Sequence, residues 1–340
     1  MYAFFDARQW HHDPQHFLVR GLPRPSPEQP ERIARLKAGA EAGGLRFAVP
    51  VDRGLGPLAA VHTPEYLDFL RNIHARWRAL PDAGPEVVPN IHPSRGYGSY
   101  PTSAVGQAGY HQADTACPIG PDTWEAAYWS AQSALAAAHR VLEGDRAAYA
   151  LSRPPGHHAF ADLAGGFCFL NNAAIAAEHA LRAGRRPAIL DIDVHHGNGT
   201  QGIFYARGDV LTVSIHADPD AFYPFFWGHA QERGTGPGLG ANLNLPLAHG
   251  TGTEGVLDAL DAALCRIDAF GTDLLVVALG LDAHERDPLR GLTVTTEGFA
   301  RIAARIGATG LPLVLVQEGG YLSEDLGANL TSFLSGLAPV

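Results

Sequence analysis

Residues 188–200 read AILDIDVHHGNGT. The opening run, 188–192, is short, mostly aliphatic and bounded by Pro and Asp, which predicts a strand. Two aspartates and two histidines then crowd into residues 191–196, where a core strand would carry Val or Leu. Such a concentration of charge at a strand end is either a polar turn or a metal site.

The same texture repeats outward from this stretch. Strands are predicted at 147–151, 188–192, 210–215, 274–279 and 313–316, and helices at 124–142, 171–183, 253–270 and 296–308. Ala costs least in a helix, and the first of these helices is rich in it. Gly144, Gly184, Gly271 and Gly310 come after the helices as stops. Strands alternating with helices imply βαβ units and a parallel sheet. The fold class is α/β: a single-domain open parallel β-sheet with helices on both faces, spanning 1–340.

The residues just past each strand matter more than the strands themselves. RPPGHH, DVHHG, HADPD, GLDAH and QEGGY stand after the five predicted strands in turn. The polar chemistry therefore collects at the carboxyl ends, the edge where open α/β sheets bind ligands. Residues 80–123 interrupt the pattern with Pro, Gly, Ser and Tyr and little periodicity. They read as a long loop insertion, which with HHDPQHFLVRGLPRPSPEQPERI is placed near the mouth of the crevice.

Composition narrows the function. The chain has 340 residues, is 46% hydrophobic and carries a formal charge of −10. That charge argues against a general nucleic-acid or acidic-membrane surface and favours cationic substrates. Cys117, Cys168 and Cys265 are scattered, without a CxxC pair, so neither a disulfide framework nor a thiolate zinc ribbon is expected. No run has the length of a bilayer span and the N-terminus has no long apolar segment, so a soluble, unexported, cytoplasmic protein is expected.

Asp193 and His195 are two residues apart, so in extended backbone they point to one side. Zinc accepts imidazole nitrogen and carboxylate oxygen at ~2.0–2.2 Å, and a catalytic site uses three protein ligands with a position left for water. Asp282, after another strand, is the third candidate; taken alone it would be read as a turn or helix cap. His196 faces the other way and is either functional or a structural neighbour. His157 and His158, on a rigid Pro-Pro-Gly turn, suit acid–base work because imidazole titrates near neutrality. Asp191 and Asn198 are candidates to orient those rings from behind, although Asp191 could equally accept backbone amides. Tyr321 comes after two glycines, and its hydroxyl could meet a developing oxyanion. Phe167 and Tyr223 are either core aromatics or the walls of a narrow channel.

In this order, RPPGHHA, GGFCFLNNAAIA, DIDVHHGNGTQ, VSIHADP, LGLDAHERDP and EGGY resemble the zinc-dependent deacetylases of the arginase/histone-deacetylase fold over most of the chain. GQAGYHQADTACPIGPDTWEAA and FYARGDV look most like the acetylpolyamine amidohydrolase branch, and Asn198 in DVHHGN looks like the class II type.

The resemblance implies one Zn²⁺ per chain on Asp193, His195 and Asp282. It implies His158 as base and then acid, His157 supporting it with Asp191, and Tyr321 binding the oxyanion in metal-assisted amide hydrolysis. Phe167 and Tyr223 would flank the acetyl-bearing chain. Structural potassium would sit on Asp191, Asp193, His195, Ser214 and Ile215, with a second ion near Phe204, Arg207 and Val210. The substrate implied is a small acetylated amine, and the 80–123 insertion would build a homodimer.

One position departs from the pattern. Polyamine-specific relatives carry an acid in the long loop to meet the distal ammonium, and here that position looks like Ala116. Asp114 is the alternative counter-charge; without one, acetylpolyamines, acetyl-lysine peptides and other small carboxamides stay open. Two rivals remain: a binuclear manganese ureohydrolase, for which GLDAHE offers few carboxylates beyond Asp282 and Glu285, and a protein that binds acyl-amines without turnover.

Overall fold

The computed structural model describes residues 1–94 and 98–337. Ten strands occur among them: β1 (Tyr2–Phe4), β2 (His16–Val19), β3 (Leu22–Pro25), β4 (Arg46–Ala48), β5 (Ala147–Ala150), β6 (Pro187–Asp191), β7 (Leu211–Ala217), β8 (Asn242–Leu247), β9 (Leu274–Leu279) and β10 (Leu313–Gln317). Eight of them form one sheet in the order β4-β1-β5-β10-β9-β6-β7-β8, while β2 and β3 make a separate hairpin. Every pairing in the large sheet is parallel.

The five apolar runs of the sequence become β5, β6, β7, β9 and β10, and these are neighbours in the order β5-β10-β9-β6-β7. Their five polar loops therefore leave the sheet side by side. Adjacent registers set the details. Asp191 pairs with Ala278 on β9 and with Ser214 on β7, so the loop carrying Asp193 and His195 emerges next to the one carrying Asp282.

Strands buried on both faces are apolar throughout rather than alternating. Along β10, Leu313 and Leu315 enter one hydrophobic cluster while Val314 and Val316 enter the other. The first face is covered by helices Glu31–Ala42, Thr253–Phe270, Thr296–Gly307 and Leu326–Gly336, and the second by Pro64–Arg78, Ala104–His111, Thr123–Leu142 and Asn172–Arg182. Leu315 is fully buried, and truncating such a side chain to Ala costs about 2–5 kcal/mol. The expected stop glycines all take left-handed backbone, with φ of 113° at Gly144, 84° at Gly184, 76° at Gly271 and 70° at Gly310. No helix among the described residues is long and apolar enough to cross a membrane.

The 80–123 insertion is more ordered than its composition suggests. It holds the helix Ala104–His111, capped where Ser103 Oγ accepts from Gly106 N at 3.1 Å. Two glycines in eight residues blur its periodicity.

Candidate active site and metal centre

The strand β6 ends at Asp191, and residues 192–197 bend rather than continue as extended backbone. Asp193 and His195 still face one spot, for a different reason from simple alternation. Asp193 Oδ1 accepts from His195 N at 2.9 Å, and this tight turn carries the ring back over the carboxylate. His195 Nδ1 then lies 3.2 Å from Asp193 Oδ1 and 3.2 Å from Asp282 Oδ2. One ligand atom from each of the three residues falls within 4.8 Å of the others, and Asp193 and Asp282 are fully buried.

The donor set fits a divalent cation. Asp282 Oδ2 is buried and has no neighbour in hydrogen-bonding geometry, His195 Nδ1 at 3.2 Å included, a costly condition for a carboxylate oxygen unless a cation meets it. Burial opposes a charge on His195, yet the two carboxylates push its pKa up to about 9, so the position demands positive charge. Burial and then the Asp193 charge raise Asp282 to about 6. Space is kept open by glycine. A Cβ on Gly319 would come 2.1 Å from Asp282 Oδ2, and one on Gly280 would come 2.3 Å from Asp193 Oδ2. Gly319 N instead donates to Asp193 Oδ2 at 2.8 Å.

The two histidines after β5 are held differently. His157 Nδ1 donates to Asp191 Oδ2 at 2.8 Å and His158 Nδ1 to Asn198 Oδ1 at 2.7 Å. Both arrangements turn Nε2 away from these partners. Burial works against a charge on His157, but Asp191 and Asp193 outweigh it and hold the ring well above its usual range. Burial, then the neighbouring His157 and His195, hold His158 well below it. The ring centroids lie 4.0 Å apart. Asp191 also accepts from Asp193 N at 3.0 Å, so it meets both a histidine and a backbone amide. His196 turns to the opposite side and pairs through Nε2 with Gln201 Oε1 at 3.0 Å.

A cavity of about 400 Å³ opens above this arrangement. His158, His195 and Tyr321 lie in its floor, Phe167, Phe222, Tyr223 and Leu289 in its wall, and Phe17, Val19, Arg20, Ala116 and Arg290 toward the outside. The N-terminal stretch and the insertion thus both reach the mouth. His195 stacks on Phe222 at 4.8 Å. Phe167 has φ of +69°, a left-handed conformation that costs a bulky residue energy and occurs where the surroundings enforce it.

Several supporting residues have no local signature in the sequence. Arg32 Nε donates to Gly320 O at 2.6 Å and Nη2 to Glu318 O at 2.7 Å, and its guanidinium lies 4.9 Å from the Tyr321 ring centroid. Glu28 links Arg32 and Arg153 in the same buried network. Asp287 Oδ2 accepts from Tyr321 N at 2.8 Å, which anchors the loop carrying the phenol. Glu28 and Arg32 stand four residues apart in PEQPERI, a spacing ordinary on any helix, and their partners Arg153, Glu318 and Gly320 lie 125 to 288 residues away. Glu285 is exposed, and Asp287 is spent on backbone amides, so neither bridges a second ion. His157, Cys168 and Glu318 also approach one another, but burial raises the Cys168 thiol far above its usual range, and Glu318 Oε2 accepts the amides of Gly156 and His157.

Comparison with known proteins agrees with this geometry. The "Histone deacetylase domain" family model matches residues 26–337. The chain is 51% identical to "Acetylpolyamine amidohydrolase" of Burkholderia pseudomallei over 99% of this chain and 98% of that one. It is 46% identical to "Acetylpolyamine amidohydrolase 1" of Pseudomonas aeruginosa, covering 96% and 95%. A crystal structure of acetylpolyamine aminohydrolase from Burkholderia pseudomallei superimposes with a TM-score of 0.97, covering 100% of this chain and 99% of that one at 51% identity. The fold, the ordered motifs and these relatives agree, and the chain belongs to the histone deacetylase domain family.

Proposed function

We propose that this chain is a zinc-dependent deacetylase that removes acetyl groups from small amines, acetylpolyamines foremost. The observation that carries it is the convergence of Asp193, His195 and Asp282 at the floor of a cavity that His158 and Tyr321 also line. The names of the relatives supply the substrate class.

Asp193, His195 and Asp282 would hold one Zn²⁺ per chain, which would supply Lewis-acid chemistry at the floor of the cavity. His158, kept neutral by burial, accepts the proton of the attacking water at Nε2 and returns it to the departing amine. Asn198 fixes its tautomer by accepting a hydrogen bond from Nδ1–H. His157, held cationic by Asp191 and Asp193, favours negative charge developing beside it. Tyr321 donates a hydrogen bond from its hydroxyl to the oxyanion, and the buried Arg32 and Asp287 hold the Tyr321 loop in place. Phe167 and Tyr223 flank the methylene chain behind the acetyl group.

The remaining assignments rest on placement. Structural potassium is assigned to Asp191, Asp193, His195, Ser214 and Ile215, supported by the β6–β7 register that sets Asp191 beside Ser214. A second ion is assigned near Phe204, Arg207 and Val210. A homodimer through the insertion is supported by Ile91, 60% exposed, and Tyr100, 44% exposed. Light scattering at twice the mass of one chain is expected. A cytoplasmic home accords with three free cysteines.

The test is direct. Purified protein should carry close to one zinc per chain and release acetate from N-acetylputrescine, and chelation should stop the release until zinc is restored. A folded, zinc-loaded protein that releases no acetate from this substrate or from an acetyl-lysine peptide overturns the assignment, and binding without turnover would identify an acyl-amine receptor.

A further inference from the structure

Asp114 belongs to the insertion and stands two residues before Ala116. Its carboxylate ties its own segment to two others. Oδ2 accepts from the Tyr223 hydroxyl at 2.7 Å and from Gly166 N at 3.1 Å, while Oδ1 accepts from Ala116 N at 2.8 Å. Phe167 comes directly after Gly166, so one side chain is tied to both aromatic walls. The Tyr223 ring meets the His158 ring edge-on at 4.9 Å. There is no slack at this corner: a Cβ on Gly166 would lie 2.4 Å from His158 Cδ2 and 2.9 Å from the Tyr223 hydroxyl.

We propose that Asp114 is a positioning residue that clasps the Phe167 and Tyr223 walls together, so that the channel of this chain selects the slim, unbranched carbon chain beside the amide and does not read charge at its far end. The inference rests on the deacetylase activity proposed above and adds the feature of the substrate that is recognised.

Two observations separate a clasp from a counter-ion. Asp114 already accepts three donors, and Oδ2 is filled by the two that come from the walls, the Tyr223 hydroxyl and Gly166 N. Hydrogen bonds to a charged acceptor are the strong ones. In addition, the described residues lining the cavity include neither Asp nor Glu, and the charges toward the mouth are Arg20 and Arg290. A distal ammonium therefore finds no free carboxylate along this path.

The experiment compares N-acetylputrescine with N-pentylacetamide, in which a methyl replaces the ammonium. For the wild-type protein, kcat/KM should agree within about threefold, as an unpaired exposed charge predicts. Asp114→Asn turns an N–H toward donors, and Tyr223→Phe removes the phenol but keeps the ring. Each should raise KM roughly three- to tenfold on both substrates alike, the size of one hydrogen bond, with kcat changed less than about twofold. The double variant should be no worse than the poorer single one, because both break the same contact.

Loss confined to N-acetylputrescine in Asp114→Asn would make Asp114 the ammonium receptor and overturn the clasp, as would fully additive losses. If Asp114→Asn does not fold, Tyr223→Phe decides alone: an equal rise in KM on both substrates supports the clasp, and an unchanged KM overturns it. Wild-type protein that cleaves neither compound nor an acetyl-lysine peptide refutes the deacetylase activity itself, a distinct failure.

Discussion

The floor of the cavity and its rim are built on opposite plans. At the floor, Asp191, Asp193, Asp282, His157 and His158 stand at or just past the ends of the central strands β6, β9 and β5, are nearly inaccessible, and are fixed by backbone amides, by one another or, for His158, by Asn198. At the rim, Val19 at the end of β2, Arg20 in the hairpin turn and Arg290 in a loop are all exposed. Chemistry needs groups held in a narrow geometry, which rigid strand ends supply. Choice of substrate can be left to loops, which tolerate change. The difference predicts that floor substitutions strike kcat while rim substitutions shift KM or selectivity.

The largest effect should come from His158→Ala. Loss of the group that carries the proton should lower kcat by about 10²–10⁴-fold, with zinc content unchanged. The comparison breaks if kcat survives while KM rises. Tyr321→Phe ranks next, with a loss of about 2.7–4 kcal/mol of transition-state stabilisation, or roughly 10²–10³ in kcat, as for other single oxyanion donors. Substrate affinity in single-turnover measurements should barely move.

Legibility in the sequence divides along the same line. The floor was readable because a short apolar run ending in Asp and His is locally unusual, and because the five such runs all place their polar residues at one sheet edge. The order β5-β10-β9-β6-β7 was not readable, since strand adjacency is a property of packing between distant segments. β1 and β4, three residues each, are too short to show a period. β8 reads NLNLPL because Asn242 and Asn244 turn inward to Gln201, which hides an edge strand behind polar residues. Arg32 and Asp287 act on Tyr321 through contacts of 286–288 and 34 residues in sequence, and nothing local marks them. The donors that Asp114 meets on Gly166 and Tyr223 are likewise set by packing between distant segments.

A milder probe tests whether the rigid plan extends behind the floor. His12, His62 and His216 are buried and neutral, and burial lowers their pKa values to about 3, 4 and 4. Unfolding returns each to about 6.5, so the unfolded chain takes up protons first as pH falls. The share of stability that depends on these three rings should be flat above pH 6.5 and should fall from there toward pH 4, by about 1 kcal/mol for each histidine at pH 5.5. Urea unfolding midpoints at pH 7.5 and 5.5, compared between the wild type and His216→Gln, isolate one ring's share; an identical pH dependence in both would mean that this ring gains charge without cost.

The smallest effect belongs to the rim, and Ala116→Glu isolates it. Ala116 lines the outer cavity beside the clasp, and its backbone amide already donates to Asp114. The backbone is thus fixed, and a longer side chain would add charge without rebuilding the wall. A carboxylate there would give a distal ammonium the counter-charge that the described lining lacks. An exposed ion pair contributes about 1 kcal/mol or less, so kcat/KM for N-acetylputrescine should rise by about fivefold or less relative to N-pentylacetamide, through KM. The gain should fade between low salt and 0.5 M, because exposed charges are screened. A change in kcat on the uncharged substrate would show instead that rim and floor are mechanically coupled, and would undo the separation of the two regions.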